Sequence, residues 1–458
     1  MNQRLCLRRG PAPKTGPILG ASIVVAAALF SLAPPMCARP PAQPAAQDRG
    51  NSPAREDAAA QNDLLAKAES AMNIKDYAAA AQAYQEYIAK KPDDAGAHFQ
   101  LGYTYTAMQK MDAARVEYQK ATELDPQMGE AFLNLGLTEV DTDQAAALTA
   151  LRRAVDLMPD DAHPAFMLAA ALDRVGQTPA AIDEYKAALS LDDQDPAIHK
   201  ALGNALLRTG RASDAEPQFQ AAAALDASDP EIELELAECL VAEHKLDEGT
   251  AEFSSYLKKK PGDLQTWFAL VSLLIDLAKY DDALAQLDSD RVDAADIRAL
   301  KLRYEALAGL KRNDEALAVL VKAEAVAPTD AEVHQKLGDS YLQGKNYSAA
   351  AREFQSVLKV TPVDGRAAEG LVAADYDAGD YSGALQAINL QTQQTPQSTL
   401  PLRSLFIRAS CYDRLGDKSN ALKSYDAFLS ANRDQTSDMY FAAAERVREL
   451  RRESGNKK

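Results

Sequence analysis

From residue 61 onward, small and large apolar side chains occupy fixed intervals along the chain. In LGYTYTAMQKMDAARVEYQKATELDP, residues 101–126, Gly102, Ala114 and Ala121 stand at set distances from Tyr105, Tyr118 and Pro126. The pattern returns about every 34 residues, a period that signals a stacked array of short supersecondary units. Copies begin at Gln61, Ala95, Gly129, Ala162, Pro196, Pro230, Leu264, Ile297, Ala331, Gly365 and Leu402. Position 20 of each is Ala80, Ala114, Ala147, Ala181, Ala215, Gly249, Ala283, Ala316, Ala350, Ala384 or Ala421. Position 24 is always large and apolar: Tyr84, Tyr118, Leu151, Tyr185, Phe219, Phe253, Leu287, Leu320, Phe354, Ile388 and Tyr425. Positions 20, 24 and 27 follow i, i+4, i+7 spacing and share one helical face. Position 8 is small in most copies and relaxes to Val271, Tyr304 and Val372 in three.

These slots predict two helices of roughly a dozen residues per copy. Isolated helices of that length are marginal in water, so each must pack against its partner and the next pair. Small residues at positions 8 and 20 let the backbones approach, and position 24 fills the space beside them. Proline ends the second helix in seven copies, from Pro92 to Pro396, by removing a donor and biasing the preceding residue away from helix.

LG..Y followed by A...Y..A....P in the second copy resembles the tetratricopeptide repeat family, and the resemblance covers residues 61–435. It implies an all-α, right-handed α-solenoid of about eleven helix-turn-helix repeats, with a concave groove lined by the first helix of each copy. The inward positions in that family are 2, 5, 9, 12 and 13. Here they make Phe99, Tyr103, Leu133, Leu137, Val140 and Phe166 a candidate partner-binding groove. Large apolar side chains exposed together mark a binding site, unless neighbouring helices cover them. Lys200 and Asn204 resemble the start of the carboxylate clamp of chaperone co-factors in this family, but Glu235, Gln265 and Ala269 supply no further cation. Downstream the same positions are charged with mixed sign, through Arg298, Lys301, Glu305, Glu332, Asp339, Arg366, Glu369, Arg403 and Arg414.

After the eleventh copy, Tyr440, Ala443, Val447 and Leu450 form one stripe, predicting an amphipathic capping helix over 436–453 and a basic tail to 458.

Composition agrees with helices whose backbones approach closely: of 458 residues, 47% are hydrophobic but only 6% aromatic. The net charge is −17, and residues 1–60 carry seven Lys or Arg against three Asp or Glu. The array is therefore strongly acidic and would repel phosphate backbones, which argues against nucleic acid as a partner.

The first sixty residues differ in kind. A basic start leads to an uncharged run from Ile18 to Ala33, short for a bilayer span but suited to a signal peptide. Residues 1–33 are read as a signal peptide or an N-terminal membrane anchor. Ser31-Leu32-Ala33 has small residues at cleavage spacing, Pro34 opposes cleavage, and Cys37 leaves a lipoprotein open. Residues 34–60 are rich in Pro, Ala and Gln and are expected to be a disordered tether.

No catalytic fingerprint is present. His98, His199 and His334 occupy position 4, a packing slot that Trp267 fills in the seventh copy. His163 and His244 have no Cys or His at metal-ligand spacing, and Cys239 and Cys411 stand alone on apolar stretches. Asp pairs such as Asp93-Asp94, Asp160-Asp161, Asp192-Asp193 and Asp281-Asp282 fall at turns, where Asp caps a helix. The expectation is a non-enzyme without metal or cofactor: an exported or membrane-tethered scaffold or assembly factor that binds a protein or peptide. Two other readings stay open, a non-catalytic subunit of an envelope polysaccharide-handling or export complex, and a cytoplasmic adaptor.

Overall fold

The computed structural model describes residues 53–289, 291–394 and 400–455. The signal or anchor region, residues 1–33, and residues 34–52 of the expected tether lie outside the described residues. The described residues form twenty-three helices and no strand. The chain divides into two compact units between Glu252 and Phe253.

The first unit holds α1 (Pro53–Asn73), α2 (Tyr77–Lys90), α3 (Ala95–Ala107), α4 (Met111–Leu124), α5 (Gly129–Glu139), α6 (Gln144–Leu157), α7 (Ala162–Arg174), α8 (Thr178–Leu191), α9 (Pro196–Arg208), α10 (Ala212–Leu225) and α11 (Pro230–Ala242). The division falls within α12 (Leu246–Lys259). The second unit continues with α13 (Leu264–Asp276), α14 (Tyr280–Leu287), α15 (Ile297–Gly309), α16 (Asn313–Val326), α17 (Ala331–Gln343), α18 (Tyr347–Val360), α19 (Gly365–Ala378), α20 (Tyr381–Gln394), α21 (Leu402–Arg414), α22 (Lys418–Ala431) and α23 (Asp438–Gly455). From α1 to α11 and from α13 to α23 each helix packs on its chain neighbours, so each unit is an α-solenoid of helix pairs.

From the second copy on, every first helix begins at the residue where its repeat was placed. Aspartate is the reason at eight of these ten starts. Asp94, Asp161, Asp195, Asp229, Asp263, Asp296, Asp330 and Asp364 each accept a backbone N–H of the following turn. The first copy differs: α1 starts at Pro53, so residues 53–60 belong to a helix and not to the expected tether. PAREDAAA explains it, with proline in the first turn and a run of alanine behind it. Among the described residues, no helix is long and apolar enough to cross a membrane.

Between the two helices, position 15 turns left-handed in ten of the eleven copies, the third being the exception. Lys75, Gln109, His244, Ala278, Lys311 and Lys345 have φ between 56° and 63°, and Gly176, Gly210, Gly379 and Gly416 occupy the same place in other copies. The N–H that follows it reaches back to the first helix, as Asp76 does to the Ala71 carbonyl at 2.9 Å. This closes the helix end and aims the chain into the second helix.

The size pairing inside a copy is direct. A Cβ added at Gly102, Gly203 or Gly338 would lie 2.6–2.8 Å from the ring of Tyr118, Phe219 or Phe354. The three copies with a larger position 8, Val271, Tyr304 and Val372, carry aliphatic Leu287, Leu320 and Ile388 at position 24 instead. Tyr118, Phe219 and Phe354 are fully buried, and such burial is worth roughly 1.5–3 kcal/mol each for phenylalanine-sized side chains.

The seventh copy breaks the pattern, because α14 has 8 residues where other second helices have 14. Asp288 and Ser289 follow Leu287, and the Ser289 hydroxyl donates to the Gln286 carbonyl at 2.6 Å, competing with helix continuation. Arg303 of α15 then seals the exposed end by donating to the Leu287 carbonyl at 2.7 Å and pairing with Asp288 at 2.6 Å. At the C-terminus, Ala443, Val447 and Leu450 of α23 are buried in the core of the last copies, while Tyr440 is half-buried.

Candidate functional site

Packing of successive helices covers the apolar inward positions of copies two to four. Phe99, Leu133, Leu137, Val140 and Phe166 are all buried. Leu133, Leu137, Val140 and Phe166 belong to one core that runs on to Leu240, and Phe99 packs on the Tyr118 ring at 5.8 Å. The apolar groove expected from copies two to four is therefore not an open surface in these five side chains. Tyr103 remains half-buried, with its phenol raised above the usual tyrosine range by burial and then by nearby Tyr77.

At the clamp-like positions of the first unit, the polar groups are satisfied by the chain itself. Lys200 pairs with Asp229 at 2.9 Å, and the Asn204 amide donates to Glu235 at 2.8 Å. Burial pushes the Glu235 carboxyl up to about 7, against the opposing pull of Asn204 and Lys200. Its second oxygen, Oε2, is buried without a hydrogen-bond partner. A proton there relieves the burial of charge, so this position would repel a peptide carboxylate at high pH.

The second unit uses the same positions for ion pairs between successive first helices. Lys301 of α15 reaches Asp330 at 2.8 Å and Glu332 at 2.7 Å, and Lys336 of α17 reaches back to Glu305 at 2.6 Å. Arg366 of α19 pairs with Asp339 of α17 at 2.5 Å. Burial works to lower the Lys336 pKa, yet Glu305 and Glu332 hold the ammonium above its ordinary value. The ladder is still accessible: side-chain exposure is 72% at Arg366, 63% at Arg298 and 53% at Glu332. Arg298 also lies over the Phe268 ring, 4.1 Å from its centre. Glu369, Arg403 and Arg414 are exposed. Residues of α14, α15 and α16 line an open cleft of about 530 Å³, among them Leu284, Asp288, Arg303, Arg312, Glu315 and Val319.

The position-4 histidines are buried, as the packing reading expects, but each is also held by two polar contacts. Nε2 faces the carbonyl of Pro92, Asp193 or Pro328, and Nδ1 faces Glu117, Gln218 or Glu353 at 2.6, 2.9 or 2.8 Å. Spacing alone does not reveal this, since the partners lie six residues before and nineteen after the ring. Trp267, in the same slot, leaves its buried Nε1 without a hydrogen-bond partner. His163 sits in the first turn of α7, its pKa lowered by burial, and His244 is a left-handed turn residue. Cys239 and Cys411 are buried, and burial pushes their thiols up to about 11 and about 12, away from reactive thiolate. Of the Asp pairs, Asp94 and Asp161 cap helices, Asp192 accepts from the Gln194 N–H at 2.9 Å, and Asp281 and Asp282 lie in the first turn of α14.

A chain of helix pairs with small-to-large packing inside each copy, capped by a terminal helix, is a repeat protein of the α-solenoid class. Models of the tetratricopeptide repeat match residues 65–139, 200–263, 307–374 and 402–435, and a TPR repeat model matches 174–210. The chain belongs to the tetratricopeptide repeat family. No curated protein matches it. Among solved structures, a MamA crystal structure is 23% identical over 36% of this chain and 91% of its own, with a TM-score of 0.35. YrrB, described as a TPR protein with an unusual peptide-binding site, is 19% identical over 41% of this chain and 96% of its own, with a TM-score of 0.37. MamA from Desulfovibrio magneticus RS-1 is 20% identical over 37% of this chain and 96% of its own, at 0.35. At these TM-scores the likenesses carry nothing further about this chain.

Proposed function

We propose that this protein is a non-catalytic scaffold or assembly factor of the cell envelope that holds a protein or peptide partner against the charged first helices of its second unit. One observation carries the reading: Arg298, Glu332 and Arg366 project from successive repeats with more than half of each side chain exposed. The equivalent apolar face of copies two to four is closed by packing. A partner of complementary charge pattern can exchange the ladder's internal pairs for its own. Charges so arranged govern specificity and encounter rate more than affinity. Because the helices are already in place, little ordering cost falls on the receptor.

The basic start and the apolar run Ile18–Ala33 support export or anchoring as the route to the envelope. Finding the chain in the cytosol with residues 1–33 intact would overturn that part and favour the adaptor reading. For the surface, Arg298→Glu with Arg366→Glu is expected to weaken partner crosslinking in native membranes by about tenfold while the far-ultraviolet circular dichroism stays unchanged, as a loss of about 1.4 kcal/mol would do. Undiminished crosslinking would place the binding surface elsewhere. Identification of the crosslinked protein as a stoichiometric polysaccharide-handling or export enzyme would make the chain that complex's non-catalytic subunit.

A further inference from the structure

The three position-4 histidines are held alike, which makes their differences informative. In each, Nε2 lies 3.0–3.2 Å from a backbone carbonyl oxygen that can only accept, so Nε2 carries a proton. Nδ1 is thereby aimed at position 23 of the same copy, which is Glu117, Gln218 or Glu353. The residue ten places before the histidine, in the preceding second helix, is Ile88, Leu189 or Glu324. Only beside His334 do both flanking positions carry carboxylates. There, one ligand atom from each of Glu324, His334 and Glu353 lies within 4.8 Å of the other two.

As an imidazolium, His334 would balance one of the two carboxylates, that of Glu353 at 2.8 Å with its side chain 12% exposed, while the Glu324 carboxylate beside the pair is half-buried. A divalent cation would balance both carboxylates and take the Nδ1 lone pair of the neutral ring. We propose that Glu324, His334 and Glu353 form a binding site for a divalent transition metal of the zinc class. One imidazole and two carboxylates are a donor set that zinc accepts, with a fourth position left for water or a partner's side chain. The bond from Nε2 to the Pro328 carbonyl is the outer contact that fixes the ring of a metal-bound histidine. Bonds of about 2.0–2.2 Å in a tetrahedron put ligand atoms about 3.3 Å apart, so the flexible glutamates close in on a fixed ring. The ligands come from α16, α17 and α18, so the ion would tie copy eight to copy nine.

The test is calorimetric titration of the chelator-stripped full chain with zinc chloride. Glu324→Ile reproduces the residue of the second copy and Glu353→Gln that of the fifth, so both are compatible with the fold, and circular dichroism melts of the stripped proteins check it. One saturable equivalent is expected, weakened about tenfold or more in each variant. Titration without saturation, or a variant that binds as tightly as the parent, overturns the site.

Discussion

The first helices of copies two to four and those of copies eight to ten occupy the same place in the repeat and solve the same packing problem with opposite chemistry. Upstream, Phe99, Leu133, Leu137, Val140 and Phe166 are buried and merge with the core. Downstream, Lys301, Glu305, Glu332, Lys336, Asp339 and Arg366 link the helices by ion pairs; the two lysines are largely covered, while Glu305, Glu332 and Arg366 keep much of their surface in water. Apolar contacts at these positions contribute stability and close the face. Half-exposed ion pairs contribute little, on the order of 0–1 kcal/mol each, but leave the face open and chemically distinctive. A large apolar side chain at an inward position is thus a poor sign of a binding groove in this protein.

The comparison is broken most directly by charging the closed face. Phe99→Glu with Phe166→Glu buries two unpaired carboxylates and is expected to cost about 5 kcal/mol or more, seen as lost helical signal from the first unit in denaturant melts. A variant pair that melts like the parent would show the face to be open after all. Next comes Glu235, which joins the two chemistries. Its folded pKa of about 7 lies above the ordinary 4.5, so the stability its protonated form supports is complete below about pH 4.5 and is lost as pH rises through 7. Glu235→Gln should flatten this decline, on the order of 2 kcal/mol, in urea melts run from pH 4 to 8. A decline unchanged in the variant would assign it to another group. The smallest effect is expected at Arg366→Ala, below about 1 kcal/mol and smaller still in 1 M salt, where screening removes most of the pair with Asp339. A salt-independent loss would mean that the arginine acts through packing.

Most of the fold was legible because the devices that start and stop each helix are local. An aspartate cap, a left-handed residue at position 15 and a closing proline act within a few residues, and the repetition of their setting fixed ten of the eleven helix starts. The misplaced start, at Pro53, lies where no preceding repeat sets the phase. The candidate site was less legible. Whether Phe166 faces solvent depends on how closely α7 approaches its neighbours, which depends in turn on side chains dozens of residues away. Lys301, Glu305 and Glu332 were readable as charged inward positions, but Lys336 falls at position 6, outside that set, and the pairs Lys301 with Glu332 and Lys336 with Glu305 span 31 residues. Glu324, His334 and Glu353 lie on three helices at separations that match no local ligand motif.

The repeat, the helix pairing and the size match of positions 8 and 24 could be read along the chain, because each follows from contacts inside one copy. Which inward side chains are buried, which are paired and which three converge beside His334 emerges only when the helix pairs stack. Those outcomes are set by the distance between successive helix pairs, which no single copy encodes.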